Sequence, residues 1–327
     1  MTEPQRDITY ILHWGDLTST VRMLAAAKII RDTYRRDRIV LLTTPDFESL
    51  LKHCPWFNAI ETDACPDTRP MAGLRDKRIK LSKPVRIFDL AGTADSRKIK
   101  GLFRFSKCKW HEVAAREGDP QHPVDAVSGA LNAALGLTPD HYPLGGAPAP
   151  DASWVDFLAK QSRMLDPEYF GLNGPFALLA PAGESVKPAL RWPMEKWAAL
   201  AHELLQAGIT PALIGGPDTR DVGRHVSQVA PGARDITGKA KLPQLAGLAR
   251  RTCFVFSEDT PLLHLLAASG APALALYGDV GDPALIAPRG SAPVILMHAT
   301  TLAQVTPEEA IAAMRFAGGF ADAPAAA

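Results

Sequence analysis

Short apolar runs that end in small or polar turns recur along this chain, and between them apolar positions return at helical spacing. Residues 8–12 form a β-type run that meets His13-Trp14-Gly15-Asp16 and then a helical pattern over 17–35. Residues 39–43 read as the next strand, 47–53 as a short helix, 59–62 as a strand, and 85–90 as another that ends in Asp89-Leu90-Ala91-Gly92. Strand and helix in alternation predict a parallel sheet with helices on its faces. A Pro- and Gly-rich stretch, 142–150, reads as a loop or linker, followed by a helical segment over 154–165. A second series begins at Phe176, with strands over 176–180, 209–214, 253–257, 273–277 and 294–297. Its helices run over 195–206, 220–229, 243–251 and 261–269. Thr306-Pro307-Glu308-Glu309 opens a last helix, with Thr306 as N-cap, Pro307 at the first helical position and Glu309 completing a capping box. The predicted organisation is two α/β domains, 1–170 and 171–316, the second closed by a helix over 307–316. An Ala- and Gly-rich tail, 317–327, is expected to be disordered.

A chain of 327 residues is long enough for two such domains at roughly 100–200 residues each. Its formal net charge of +1 gives no reason to expect a nucleic acid partner. The charge is unevenly placed, however. Between Arg69 and Lys109 stand thirteen Lys and Arg against Asp76, Asp89 and Asp95, a local excess of ten positive charges. Such a segment reads either as a site for an anionic partner or as a solvated basic face. Cys54, Cys65, Cys108 and Cys253 form no CxxC pair, which argues against a zinc site or redox dithiol. No apolar run approaches the roughly 20 residues that span a bilayer, and residues 1–7 lack the apolar core of a signal peptide. A cytoplasmic location with reduced thiols is the default expectation.

Four places carry candidate chemistry. In Ser257-Glu-Asp-Thr-Pro-Leu-Leu-His264 a strand ends and a helix begins near Pro261, capped by Thr260. A helix N-terminus offers unpaired N–H groups to a phosphate; an ordinary capped helix with a half-buried His264 fits the same spacing. Gly15-Asp16 ends the first strand, where Asp16 suits either a general base or a helix cap. Ala180-Pro-Ala-Gly-Glu-Ser-Val-Lys187, followed by Arg191-Trp192-Pro193, puts two cations beside a Gly-containing loop. That arrangement suits a diphosphate, or a surface loop anchored by Trp192. Gly215-Gly216-Pro217-Asp218 follows a strand and suits a ribose contact or a plain turn.

Taken together, the order and spacing of these motifs resemble glycosyltransferase family 9, the ADP-heptose:lipopolysaccharide heptosyltransferases. Gly15-Asp16 with Thr20, Asp89-Leu90-Ala91-Gly92 with Ser96, His122-Pro123-Val124-Asp125, and Pro181-Ala182-Gly183 with Arg191-Trp192-Pro193 are similar to the family's blocks. So are Gly215-Gly216, Gly238-Lys239 with Leu242, and Asp259-Thr260 with His264 and Tyr277-Gly278. The resemblance implies a GT-B fold, two Rossmann-like domains facing across a cleft, with the donor held by the C-terminal half and the acceptor by the N-terminal half. It implies an inverting, metal-independent transfer of heptose from ADP-heptose, with no cofactor, onto an anionic lipopolysaccharide-core acceptor at the inner face of the cytoplasmic membrane. On that template Asp16 is the base. Lys187, Arg191, Gly216, Asp218, Asp259, Thr260 and His264 bind the donor, and Thr20, Lys98 and Lys100 the acceptor. The basic segment meets Kdo and phosphate groups. Three positions depart from the pattern: Pro261 stands where the family has Gly, Leu190 where it has Lys, and Arg22 where it has Pro. The first two suit a second reading, a non-catalytic sugar-nucleotide-binding protein of the same fold. A third, a GT-B-type sugar-nucleotide epimerase, leaves the basic segment without a role.

Overall fold

The computed structural model describes residues 6–63, 71–116, 118–137, 147–159, 166–279 and 282–316. The chain divides into two compact units, Met1–Pro150 and Asp151–Ala327. The first contains β1 (Ile8–Leu12), α1 (Leu17–Thr33), β2 (Arg38–Thr43), α2 (Glu48–Leu51), β3 (Ala59–Thr62), α3 (Met71–Lys80), β4 (Arg86–Asp89), α4 (Ala94–Gly101), β5 (Lys109–Glu112) and α5 (Pro123–Leu135). The second contains α6 (Val155–Ala159), β6 (Phe176–Ala180), α7 (Met194–Gln206), β7 (Thr210–Leu213), α8 (Arg220–Val229), β8 (Arg234–Asp235), α9 (Leu242–Ala249), β9 (Phe254–Glu258), α10 (Pro261–Ala268), β10 (Ala273–Tyr277), α11 (Pro283–Ile286), β11 (Val294–His298) and α12 (Pro307–Phe316).

Each unit is built on one sheet, ordered β3-β2-β1-β4-β5 in the first and β11-β10-β9-β6-β7-β8 in the second, and every pairing is parallel. Parallel neighbours need a crossover helix, so both faces of the sheet become covered and central strands read as continuous apolar runs. All five residues of β6, β9 and β10 are accordingly buried. One face of the second sheet packs Trp197, Leu200 and Leu204 of α7 with Ala310 and Met314 of α12. The other packs Leu245 and Leu248 of α9 with Leu263 and Leu266 of α10. In both sheets the chain first adds strands on one side of its opening strand and then reverses. The reversal falls between β1 and β4 in one unit and between β6 and β9 in the other. Ligands of open α/β sheets sit beyond the carboxyl ends of strands at such a switch point.

The structure departs from the sequence pattern in definite places. The second unit begins at Asp151 rather than at residue 171, because α6 is tied to it: Arg250 pairs with Asp156 at 2.9 Å, and the Ala152 N–H donates to Ala268 O. Of the helix expected over 154–165, residues 155–159 are helical; 160–165, like most of the 142–150 linker, Cys65 and the 317–327 tail, lie outside the described residues. The elements α3, α4, β5 and α5 were absent from the periodicity. The capping box at Thr306 is present, with Glu309 N–H donating to Thr306 Oγ1 and Thr306 N–H to Glu309 Oε2.

Candidate functional site

In the first unit, β1 delivers His13-Trp14-Gly15-Asp16 to the switch point. Asp16 caps α1: its Oδ1 accepts the Ser19 N–H at 2.8 Å and the Ser19 hydroxyl at 2.7 Å. A Cβ on Gly15 would lie 2.2 Å from Ser19 Oγ, so a side chain there would displace the cap. Oδ2 of Asp16 has no hydrogen-bond partner among the described residues. Burial raises the carboxyl's pKa, but the Ser19 bonds and the charge of Arg22 outweigh it and hold the group below the ordinary aspartate range. The result is an exposed carboxylate, ionised at neutral pH, with one oxygen free. Beneath it His13 is buried and stays neutral, since burial pushes its pKa down to about 4 against the pull of Asp16. Its Nε2 lies 3.3 Å from Thr20 Oγ1, and its Nδ1 is unpaired among the described residues. His13, Trp14, Ser19 and Arg22 line a cavity of about 230 Å³, closed by Leu90, Ala91, Ala114 and Pro123.

Of the residues expected to contact an acceptor, Thr20 is fully buried with its hydroxyl against His13 Nε2, so it supports the loop from behind and does not line this cavity. Lys98 pairs with Asp95 at 2.8 Å and Lys100 with Glu112 at 3.2 Å, both on the surface. Part of the basic segment is matched by acids from elsewhere in the chain. Lys77 and Lys80 meet Asp63, Arg86 meets Asp7 and Asp37, and Arg78 lies over the Phe103 ring. Lys83, Arg104 and Lys107 sit in the connections entering β4 and β5, at the sheet edge opposite Asp16. Arg69 lies outside the described residues.

In the second unit the loops after β6, β7 and β9 gather at the carboxyl edge. Thr260 caps α10, accepting the Leu263 N–H at 3.3 Å, with Pro261 in the first turn. Asp259 stands exposed at the rim, and His264 is buried on α10. Asp218 lies between two glycines: a Cβ on Gly183 would be 1.7 Å, and one on Gly216 2.6 Å, from its carboxylate oxygens. That close approach joins the loops after β6 and β7. Trp192 is a buried anchor, edge-on to Trp197 at 5.2 Å, with its indole N–H on Val305 O at 3.0 Å. The two cations differ: Lys187 is exposed and free of partners among the described residues, whereas Arg191 is half-buried with its Nε unpaired among them. Leu190 packs over the end of β10, where a Cβ on Gly278 would be 2.6 Å from its Cδ2.

Sequence reasoning gave Glu258 no role. It ends β9, is fully buried, and its carboxylate accepts the Ala182 N–H through Oε2 and the Trp192 N–H through Oε1. Burial pushes its pKa up to about 7 despite those bonds and the nearby Arg191. The available signal was a lone carboxylate closing an otherwise apolar strand. Glu258, Arg191, Trp192 and Ala182 line a cavity of about 490 Å³. Among the described residues no three His, Cys, Asp or Glu side chains gather to hold a metal ion, and no helix is long and apolar enough to cross a membrane.

Two all-parallel α/β units, each with a polar site at its own switch point, are the architecture of GT-B glycosyltransferases, and solved structures share it. E. coli heptosyltransferase WaaC with ADP superimposes with a TM-score of 0.76 at 17% identity, covering 95% of this chain and 99% of that one. A glycosyltransferase family 9 structure from Veillonella parvula gives 0.76 at 18% identity, covering 97% and 98%. The model of glycosyltransferase family 9 (heptosyltransferase) matches residues 121–309, more than half of the chain, and the chain belongs to that family. Lipooligosaccharide heptosyltransferase 2 of Haemophilus influenzae is 30% identical over 136 residues, 40% of this chain and 37% of that protein. The chain thus aligns with little more than a third of the length of that curated relative.

Proposed function

We propose that this chain is an inverting, metal-independent glycosyltransferase that moves heptose from ADP-heptose to a hydroxyl of an anionic, lipopolysaccharide-core-like acceptor. The observation that carries the reading is the convergence, at the β6/β9 switch point, of the helix α10 N-terminus with a loop bearing Lys187 and a buried Arg191 Nε that has no partner among the described residues. A buried donor without a partner is costly, and a diphosphate oxygen relieves that cost. Asp218 and Gly216 border the same edge, where a ribose contact belongs, while Asp259 and Thr260 open the helix. The choice of donor is supported by related structures whose names include ADP and ADP-2-deoxy-2-fluoro heptose.

The acceptor hydroxyl gives its proton to Asp16 Oδ2 as its oxygen attacks the anomeric carbon. The bond from that carbon to the diphosphate breaks, ADP leaves with the electron pair, and a single displacement inverts the centre. Lys187, Arg191 and the α10 N–H groups meet the charge that builds on the leaving diphosphate. In the cavity beside Asp16, neutral His13, the Trp14 ring and Arg22 offer the acceptor a hydrogen-bonding group, a stacking face and a cation. Such an acceptor brings the protein to the cytoplasmic face of a membrane.

The test is a thermal-shift panel of ADP-, UDP- and GDP-sugars on the full chain, followed by transfer onto a heptose-free core acceptor. ADP-heptose should raise the melting temperature, and ADP should appear only with acceptor present. Pro261, which lacks one phosphate-facing N–H, and Leu190, which is no cation, favour one other reading: donor binding without transfer, seen as a shift with no ADP release.

A further inference from the structure

The strand β9 is apolar through Phe254-Val255-Phe256 and then ends on Ser257 and Glu258, with all five residues buried. A carboxylate in that setting needs hydrogen-bond donors. Besides its own backbone N–H, those of Glu258 are the amides at the two ends of one loop, Ala182 just beyond β6 and Trp192 just before α7. Neither amide belongs to a helix or strand ladder, and neither donates elsewhere among the described residues, so the side chain is what satisfies both. Between the two anchors lie Lys187, the turn Pro188–Leu190 and Arg191. The Ser257 hydroxyl reinforces the junction by donating to Ala180 O at 2.8 Å, which ties the ends of β6 and β9 together.

We propose that Glu258 is a positioning residue for the donor, fastening both ends of the loop between β6 and α7 so that Lys187 and Arg191 are presented in one fixed arrangement. This rests on the reading of that loop as the diphosphate site. Glu258 itself need not touch the donor; it acts through the two backbone amides.

The clamp is also sensitive to protons. A carboxylate accepts one N–H on each oxygen. A carboxylic acid has a hydroxyl in place of one of them, and that hydroxyl faces an N–H donor, so one end of the loop is released. With the carboxyl pushed up to about 7 by burial, the loop is fastened at both ends above neutral pH and at one end below it. Arg191 faces the group from the loop, Glu195 lines the same cavity from α7, and Asp259 follows on its own chain; Thr301 and Ala303, on the far wall, bring no charge.

Calorimetry of the full chain with ADP-heptose, from about pH 6 to about pH 8.5, tests this in wild type and Glu258→Gln. The diphosphate of a nucleotide sugar has no proton to exchange in that range, so the pH response belongs to the protein. The amide keeps the shape of the side chain but turns an NH2 toward one of the two N–H groups, reproducing the protonated state. Wild-type Kd should weaken about tenfold on going to the acid end, the scale of one hydrogen bond to a charged group. Glu258→Gln should bind weakly and nearly independently of pH. Hydrogen exchange read without ligand gives a second measure: the Ala182 and Trp192 amides should be protected in wild type at about pH 8.5, and one of them should lose protection in the variant. Absence of ADP-heptose binding in both proteins, with that exchange difference present, overturns the donor reading while the clamp stands. The same pH profile of Kd in both proteins, or equal protection of both amides, overturns the clamp.

Discussion

Asp16 has two duties that substitutions can separate. As N-cap of α1 it holds the Ser19 N–H through Oδ1, and as proposed base it offers Oδ2. Asparagine caps about as well as aspartate but cannot take a proton. Asp16→Asn should therefore keep the melting temperature within a degree or two and lose roughly 10²–10⁴-fold in kcat. Asp16→Ala should lose both, adding about 1 kcal/mol of destabilisation. Thermal unfolding and transfer rates on the same preparations check the pair, and near-normal turnover in Asp16→Asn would reduce the residue to a cap. His13 makes a separate statement about acid. Its folded pKa, about 4, lies below the unfolded value of 6.5, so the stability it contributes is complete above pH 6.5 and lost as the pH falls towards 4. Wild type should lose about 3 kcal/mol over that window relative to His13→Gln, which has no proton to gain, as read by urea melts at each pH. Gly15-Asp16 was legible in the sequence because a turn glycine and a cap leave a local signature. Glu258 was not, because its partners are backbone amides far along the chain, and no side-chain pattern announces a backbone partner. Thr20 came from the family resemblance alone, and its burial against His13 is a tertiary fact that no motif carries.

At the level of elements, the basic segment is the instructive case. Counted along the chain it carries ten excess positive charges, but Asp7, Asp37, Asp63 and Glu112, which come from outside the segment, offset four of them. Several of the elements missed in the periodicity, α3, α4 and β5, lie in this region. Helix α4 buries only Ser96 and Ile99, and β5 is a short edge strand of Lys-Trp-His-Glu, polar as unpaired edges tend to be. Neither offers a wide apolar stripe for pattern reading to find. Exposed pairs of the Lys98–Asp95 kind are worth about 0.2–1 kcal/mol and compete with a ligand for the same charge. Because Arg22 of α1 lines the cavity beside Asp16, recognition of an anionic acceptor should lean on α1. Arg22→Ala is expected to raise acceptor KM by about tenfold or more, the worth of a charge-assisted hydrogen bond, and Lys98→Ala with Lys100→Ala by less than about threefold. Initial-rate kinetics at low and high salt rank the two, and the opposite ranking would return the acceptor to α4.

On the scale of the whole molecule, two α/β halves were readable from the alternation of strands and helices, but the seam was not. Sequence placed it after residue 170; packing places it at Asp151, since the Arg250–Asp156 pair and the Ala152–Ala268 hydrogen bond bind α6 to the second unit. A fragment of residues 151–327 should fold and bind ADP-heptose unaided, because every proposed donor contact lies within it. One beginning at residue 172 should melt several degrees lower, having lost those ties. Calorimetry and circular dichroism on both fragments decide it, and a silent titration of the longer fragment beside a binding full-length protein would mean that the donor site draws on the first unit. A further consequence attaches to the uniformly parallel sheets. Among the described residues no strand pairs with a neighbour through a tight turn, so the described strands offer no hairpin as a seed. As the chain leaves the ribosome β1 comes first, yet its second neighbour, β4, is not complete until Asp89 has been made. In the second unit β6 waits likewise for β9, which ends at Glu258. Each of these central strands thus spends a long interval half-paired during synthesis. Refolding from denaturant should be slow for the same reason, and helper proteins that shield nascent apolar strands should raise the yield.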